Sequence, residues 1–200
     1  MKHWKLAAIA ALWSGALYAA PMPVVASFSI LGDVAQQIGG ERVGVQNLVG
    51  ANQDAHAYNL TSGDIKKIRE ARLVLLNGLG LEKAELQRAV KQSKVASAEA
   101  TAGIKPLAAD EHHHEHGHDH DHDHGEFDPH VWNDPVLMQR YAANVAIALI
   151  KADPAGSRYY QQRFKDYQHV LNQLNNYANQ QFGAVAPAKR KVLTGHEIGR

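Results

Sequence analysis

Histidine is the residue best placed to do chemistry in this chain. Thirteen histidines occur in 200 residues, with no cysteine. Nine of them fall in EHHHEHGHDHDHDHGEFDPH, residues 111–130. Neutral imidazole is a good ligand for zinc, copper and nickel, and interleaved carboxylates add weaker oxygen ligands. Two different things abut in this stretch. The run of His112, His113, His114, His116, His118, His120, His122 and His124 alternates with acids and glycine. It has no apolar residues with which to build a core, so it is expected to be disordered without metal. Many equivalent ligand sets compete within it, which makes it a weak multi-ion collector and a poor single site. An affinity tag would stand at a terminus and would not alternate with Asp. His130 has a different setting. Pro129 stiffens the backbone before it, and Asp134-Pro135 reads as the N-cap and first turn of a helix.

Two further histidines stand where sites are built. His56 lies in DAHAY, residues 54–58, inside a stretch without hydrophobic period; taken alone, such a histidine is more often a solvent residue than a ligand. His196 lies in LTGHE, just past an apolar strand-like run, with Glu197 beside it as a neighbour or competing ligand. His169 falls between Tyr167 and Val170 on a long helical pattern and reads as a surface or packing residue. Trp132 reads as packing. His3 belongs to the N-terminal segment.

The elements that must position these residues follow from periodicity. PVVASF (23–28), VGVQNLV (43–49), RLVLLNG (72–78) and KVASA (94–98) read as strands. Helices are expected over 29–40, with Ser29 as N-cap and Ile30, Val34 and Ile38 on one face; over 61–71, opened by capping residues; over 81–92; and over 136–151, with Val136, Tyr141, Val145 and Leu149 towards the core. Strands alternating with helices imply an α/β lobe from about residue 20 to 152, built on a four-stranded parallel sheet flanked by helices, with an insertion at about 108–126. Ligands of such sheets gather at the carboxyl ends of the strands, where the loop of His56 falls. From Pro154 the period lengthens. Tyr160, Phe164, Tyr167, Leu171, Leu174 and Ala178 mark one amphipathic helix, roughly 42 Å long at 1.5 Å per residue. It outreaches the lobe and reads as a connector over 153–183. AVAPAK breaks it, and KVLTG begins a further strand within 184–200.

Composition narrows the function classes. With 45% hydrophobic residues the chain can bury a substantial core, and a formal net charge of +1 gives nucleic-acid binding nothing to lean on. Residues 1–19 read as a cleaved export signal: Lys2 and Lys5, a short apolar run LAAIAALWSGALY, then small residues. The run is too short to span a membrane. Without a cysteine, neither disulfides nor lipid attachment at a new N-terminus is expected, so a soluble periplasmic protein is the simplest reading.

Together these stretches resemble the periplasmic metal-binding proteins that serve zinc or manganese ABC importers. VVASFSILGDVAQQIGGERVGVQNLVG resembles that family's first strand–helix–strand. DAHAYNLTSGDIKKIREARLVLLNGLGLE resembles its first-ligand loop and the unit after it, with Ala55 where Pro is common. DPHVWNDP resembles its second-ligand motif, and the histidine-rich loop before it resembles the zinc branch. The resemblance implies that His56, His130 and His196 are ligands, that the cargo is Zn2+ rather than Mn2+ because three imidazoles suit zinc, that a membrane permease is the partner, and that the chain is not an enzyme. Family members continue for about a hundred residues beyond the third-ligand strand. The resemblance therefore implies that only the start of a second lobe is present, with His196 poorly fixed. A monomer is expected of a complete protein, and self-association of a shortened one.

Three readings thus stand side by side: zinc or manganese capture for an importer, a stand-alone zinc buffer, and a zinc metalloenzyme. No H-E-x-x-H pair supports the last. Coordination requires unprotonated imidazole, so binding by any of these sites weakens as pH falls through the range of histidine, near about 6.5. Deletion of residues 112–124 is expected to leave the affinity of the tight site unchanged in a chelator-competition titration, while lowering the number of weakly held ions.

Overall fold

The structure, a computed structural model, describes residues 20–105 and 127–191. Four parallel strands form one sheet in the order β2-β1-β3-β4. They are β1 (Met22–Phe28), β2 (Val43–Val49), β3 (Leu73–Leu76) and β4 (Ala96–Glu99). β1 pairs with β2 on one side, Val25 opposite Gln46, and with β3 on the other, Val25 opposite Val74. The chain order therefore reverses at β1, and a crevice opens beyond the carboxyl ends of β1 and β3.

Helices cover both faces: α1 (Ser29–Gly39), α2 (Ser62–Glu70), α3 (Ala84–Ser93), α4 (Pro135–Ala152) and α5 (Ser157–Gly183). Side chains alternate across a strand, and the core divides accordingly. Val24, Ala26 and Phe28 of β1 with Leu73 and Leu75 of β3 pack under α1, α4 and α5. Val25, Val74 and Leu76 face the other way, against Ile68 of α2 and Leu86 and Val90 of α3. Both faces being covered explains why these strands read as unbroken apolar runs.

Local signals place most ends. Thr61 and Asp64 form a reciprocal capping box at the start of α2. Asp134 caps α4 through the Val136 amide, with Pro135 in the first turn. Gly40 ends α1 at φ +52, and the Tyr159 hydroxyl occupies the space a β-carbon would need. Several expectations require correction. Ser29 is the first residue of α1, and Phe28 holds the cap position without a side-chain bond. α3 starts at Ala84, because Gly78, Leu79 and Gly80 all take positive φ and extend the preceding turn. Ile30 and Val136 face solvent rather than the core, whereas Tyr141, Val145 and Leu149 are fully buried.

α5 runs 27 residues, about 40 Å. Its first half is bolted to the lobe. Tyr160 is buried, and its hydroxyl donates to Asp153 at 2.7 Å, beside two donors of Arg42 at 2.9 and 2.7 Å. Arg163 donates to the Gln37 carbonyl. Its far half exposes Leu174, Tyr177 and Phe182. The strand expected after Lys191 and the N-terminal segment lie outside the described residues. Among the described residues, no helix is long and apolar enough to cross a membrane.

The Asp153 carboxyl feels two opposed effects. Burial pushes it up, but bonds from Tyr160 and Arg42 outweigh burial and hold it below the usual carboxylate range. A depressed folded-state pKa contributes stability that is complete above the unfolded value, about 3.9, and is lost as pH falls through the lower folded value. Asp153→Asn is therefore expected to reduce stability at neutral pH and to flatten the acid limb of the stability curve below about pH 4, measured by urea unfolding.

Candidate metal centre

His56 and His130, 74 positions apart, meet at the carboxyl end of the sheet. Their Nε2 atoms lie 3.2 Å apart, with ring centroids at 5.2 Å and planes tilted by 51°. Two zinc–imidazole bonds of about 2.05 Å at a tetrahedral angle separate their nitrogens by about 3.3 Å. The pair thus spans one edge of a zinc-sized coordination polyhedron.

One short device aims each ring. In Asp54-Ala55-His56 the Asp54 carboxylate accepts from the His56 backbone N–H at 2.8 Å. In Asp128-Pro129-His130 the Asp128 carboxylate accepts from the His130 N–H at 2.9 Å. The same Asp128 oxygen also lies 2.6 Å from His130 Nδ1. A carboxylate has no proton to give, so Nδ1 carries the hydrogen. Nε2 is left as the lone-pair nitrogen, pointing at His56. Asp128 is thus committed to orienting the ring. The signal was present in the sequence as the twice-used spacing Asp-x-His.

The two rings differ in surroundings. His130 is only 8% exposed. It precedes a short 3-10 turn, Val131–Asn133, and packs edge-on against Trp132, whose ring in turn rests on Phe28. Trp132 is thus packing, as expected, with the site ring as one of its partners. His56 is exposed on the loop after β2. That loop is pinned on both flanks of its ligand end. Ala55 and Tyr58 line a crevice with Phe28, Val49, Leu60 and Leu81, which Ser27, Glu82, Lys83 and Glu85 also border. The Tyr58 hydroxyl donates to Asp64 at 2.6 Å, and its pKa is pushed up to about 12 by burial and by that carboxylate. Burial pushes Asp64 up as well, yet bonds from Thr61, Tyr58 and Lys67 prevail and hold it low. Lys83 Nζ donates to the Ala57 carbonyl at 3.1 Å and to Asn59 at 3.0 Å.

Behind the rings, Glu82 closes the crevice between β1 and β3. Its carboxylate accepts from the Ser27 hydroxyl at 2.6 Å and from the Asn77 and Gly78 amides at 2.6 and 3.0 Å. Burial pushes its carboxyl up, and the three bonds offset only part of that shift. Neither Glu82 nor Asn77 stood out in the sequence, where Asn-Gly reads as an ordinary strand terminator.

His196, Glu197 and the run from His112 to His124 lie outside the described residues. Among the described residues, no group of three His, Asp or Glu side chains is assembled around one point. His169 is exposed, beside Gln173 on α5.

Residues 24–199 match the family model described as "Zinc-uptake complex component A periplasmic". The chain belongs to this family. It is 30% identical over 176 residues to the manganese ABC transporter substrate-binding lipoprotein PsaA of Streptococcus anginosus, covering 88% of this chain and 56% of that protein. It is 30% identical over 180 residues to the manganese-binding lipoprotein MntA of Halalkalibacterium halodurans, covering 90% and 56%. The chain therefore spans little more than half the length of these relatives. The Mn-bound periplasmic metal-binding protein from Candidatus Liberibacter asiaticus superposes with a TM-score of 0.71 at 31% identity, over 84% of this chain and 59% of that one. Zn(II)-bound AdcA of Streptococcus pneumoniae shares the fold, with a TM-score of 0.68 at 21% identity over 80% and 32%.

Lys83 ties the His56 loop to the start of α3 without belonging to the core. Lys83→Met is expected to speed hydrogen exchange of the amides between 54 and 60 while changing global stability by less than about 0.5 kcal/mol.

Proposed function

We propose that this chain captures a divalent cation in the periplasm and hands it to the permease of an ABC importer, with zinc as the cargo. His56 and His130 are the ligands contributed by the described lobe, and His196 is the third. The observation that carries the reading is the 3.2 Å approach of two Nε2 atoms, one of them fixed as a lone-pair donor by Asp128. Family membership supports the transport role. The imidazole donor set supports zinc, because manganese favours oxygen-rich sites. The part played by the ion is that of cargo, so the chain performs no bond-making on a substrate. Neutral rings replace water around the ion, and the permease receives it.

A manganese-binding role is the second reading. It is favoured by PsaA and MntA, whose names specify manganese, and by the fold match to a Mn-bound protein. The two readings part in a competition experiment on the full chain. Zinc is expected to displace manganese at equal free concentrations, and His56→Ala or His130→Ala is expected to weaken zinc binding by more than about 100-fold, beyond the range of an outer-shell partner. Preferential loading of manganese, read by metal analysis of the intact protein, decides for the second reading. Unchanged affinity in both variants rejects the ligand pair.

A further inference from the structure

Asn77 directly follows β3 and is completely buried. Burying an amide is costly unless every polar atom is matched, and here each is. Nδ2 donates to the Gly78 carbonyl at 3.0 Å and to the Pro129 carbonyl at 3.2 Å. Oδ1 accepts from the Tyr141 hydroxyl at 3.0 Å. The backbone is tied as well. Its N–H donates to Glu82, and its carbonyl accepts from the Thr101 amide at 3.1 Å and hydroxyl at 2.6 Å. The turn that follows is strained: Gly78, Leu79 and Gly80 have φ of +89, +55 and +80. For Leu79 that is the left-handed region which L side chains rarely adopt. A β-carbon on Gly78 would stand 2.5 Å from the Thr101 hydroxyl. Asn77 is thus held from three sides and cannot drift.

What it holds is the peptide bond that leads into His130. Pro129 has a ring-locked φ, and the Pro129–His130 peptide is planar. Fixing the Pro129 carbonyl therefore fixes the direction of the His130 N–H, which donates to the Asp128 carboxylate, the same group that orients the ring through Nδ1. We propose that Asn77 is a positioning residue for cation capture: it clamps the Pro129–His130 peptide and so sets His130 Nε2 within reach of His56, while Tyr141, from α4, fixes which way the amide points. The role rests on the reading of His56 and His130 as a ligand pair. Pro129 has no N–H to offer, so its carbonyl is the handle by which the sheet can grip this segment.

The test uses the full chain with Asn77→Ala and Tyr141→Phe, each alone and combined with His130→Ala. Zinc is added under chelator buffering. Occupancy is read from the His56 and His130 ring cross-peaks in 1H–15N spectra, assigned by their loss in His56→Ala and His130→Ala, so that ions bound elsewhere do not enter. Asn77→Ala is expected to weaken zinc about 10–100-fold, Tyr141→Phe by a smaller factor in the same direction, and neither to weaken it further once His130 is gone. A merely structural role predicts the same loss with and without His130, or a lower melting temperature with unchanged affinity; either result overturns the proposal. Should circular dichroism show Asn77→Ala unfolded, Tyr141→Phe decides, and unchanged affinity there overturns it too. If His130→Ala alone leaves zinc affinity intact, the ligand pair has failed and the positioning role falls with it. That outcome is distinct from a working pair that ignores Asn77.

Discussion

The site depends on how the sheet is closed where its order reverses. Between β1 and β3 the strands' carboxyl ends part, and a carboxylate fills the gap. Glu82 takes one hydroxyl from β1 and two amides from the turn after β3. Its burial is unfavourable for a charge, as the upward push on its pKa records, and the three donors are what keep the group in place. Each half of the candidate metal centre is built outward from that closure. The amide of Asn77 reaches the segment that carries His130, and the crevice beside Glu82 receives Ala55 and Tyr58 from the loop that carries His56.

The long helix is organised around a separate anchor. Asp153 collects Arg42 and Tyr160, and Arg163 reaches back to the carbonyl end of α1. These contacts bind the first turns of α5 to the far side of the lobe from α2 and α3. α4 connects the two systems, since it packs on both α1 and α5 and supplies Tyr141 to Asn77. A single element thus touches both the support of the histidine pair and the root of the rod.

Much of this was legible in sequence, and the reasons are physical. Short apolar runs, spaced by amphipathic stretches, were sufficient for β1 and β3 because both faces of the sheet are covered there, and alternation sufficed for the edge strand β2. β2 matches its expected bounds, 43–49. β4 was harder: Ala96–Glu99 is largely exposed, and its pattern is weak. The start of α3 was misjudged because a left-handed residue other than glycine, Leu79, has no marker in sequence. Val136 misled because apolar character in a first helical turn need not mean burial. His130 was picked out by local stiffness and His56 by its place at the carboxyl end of a strand, and both by resemblance to a known family. Their juxtaposition was not deducible from spacing, since it rests on the parallel pairing of β1 with β2 and on the segment after β4. Glu82 and Asn77 were invisible because their importance lies in what they join, Ser27 to Gly78 and Pro129 to Tyr141, and pairing across 50 or more positions leaves no local trace.

The unequal burial of the two rings would give the proposed ion traffic a direction. His130 stands behind Trp132 with its Nδ1 side occupied, whereas His56 rides on an exposed loop. If the two rings hold a cation as proposed, the exposed His56 nitrogen would be the first to be replaced by water and the first to be regained, and the buried His130 nitrogen would be the pivot about which the hydration shell is shed or rebuilt.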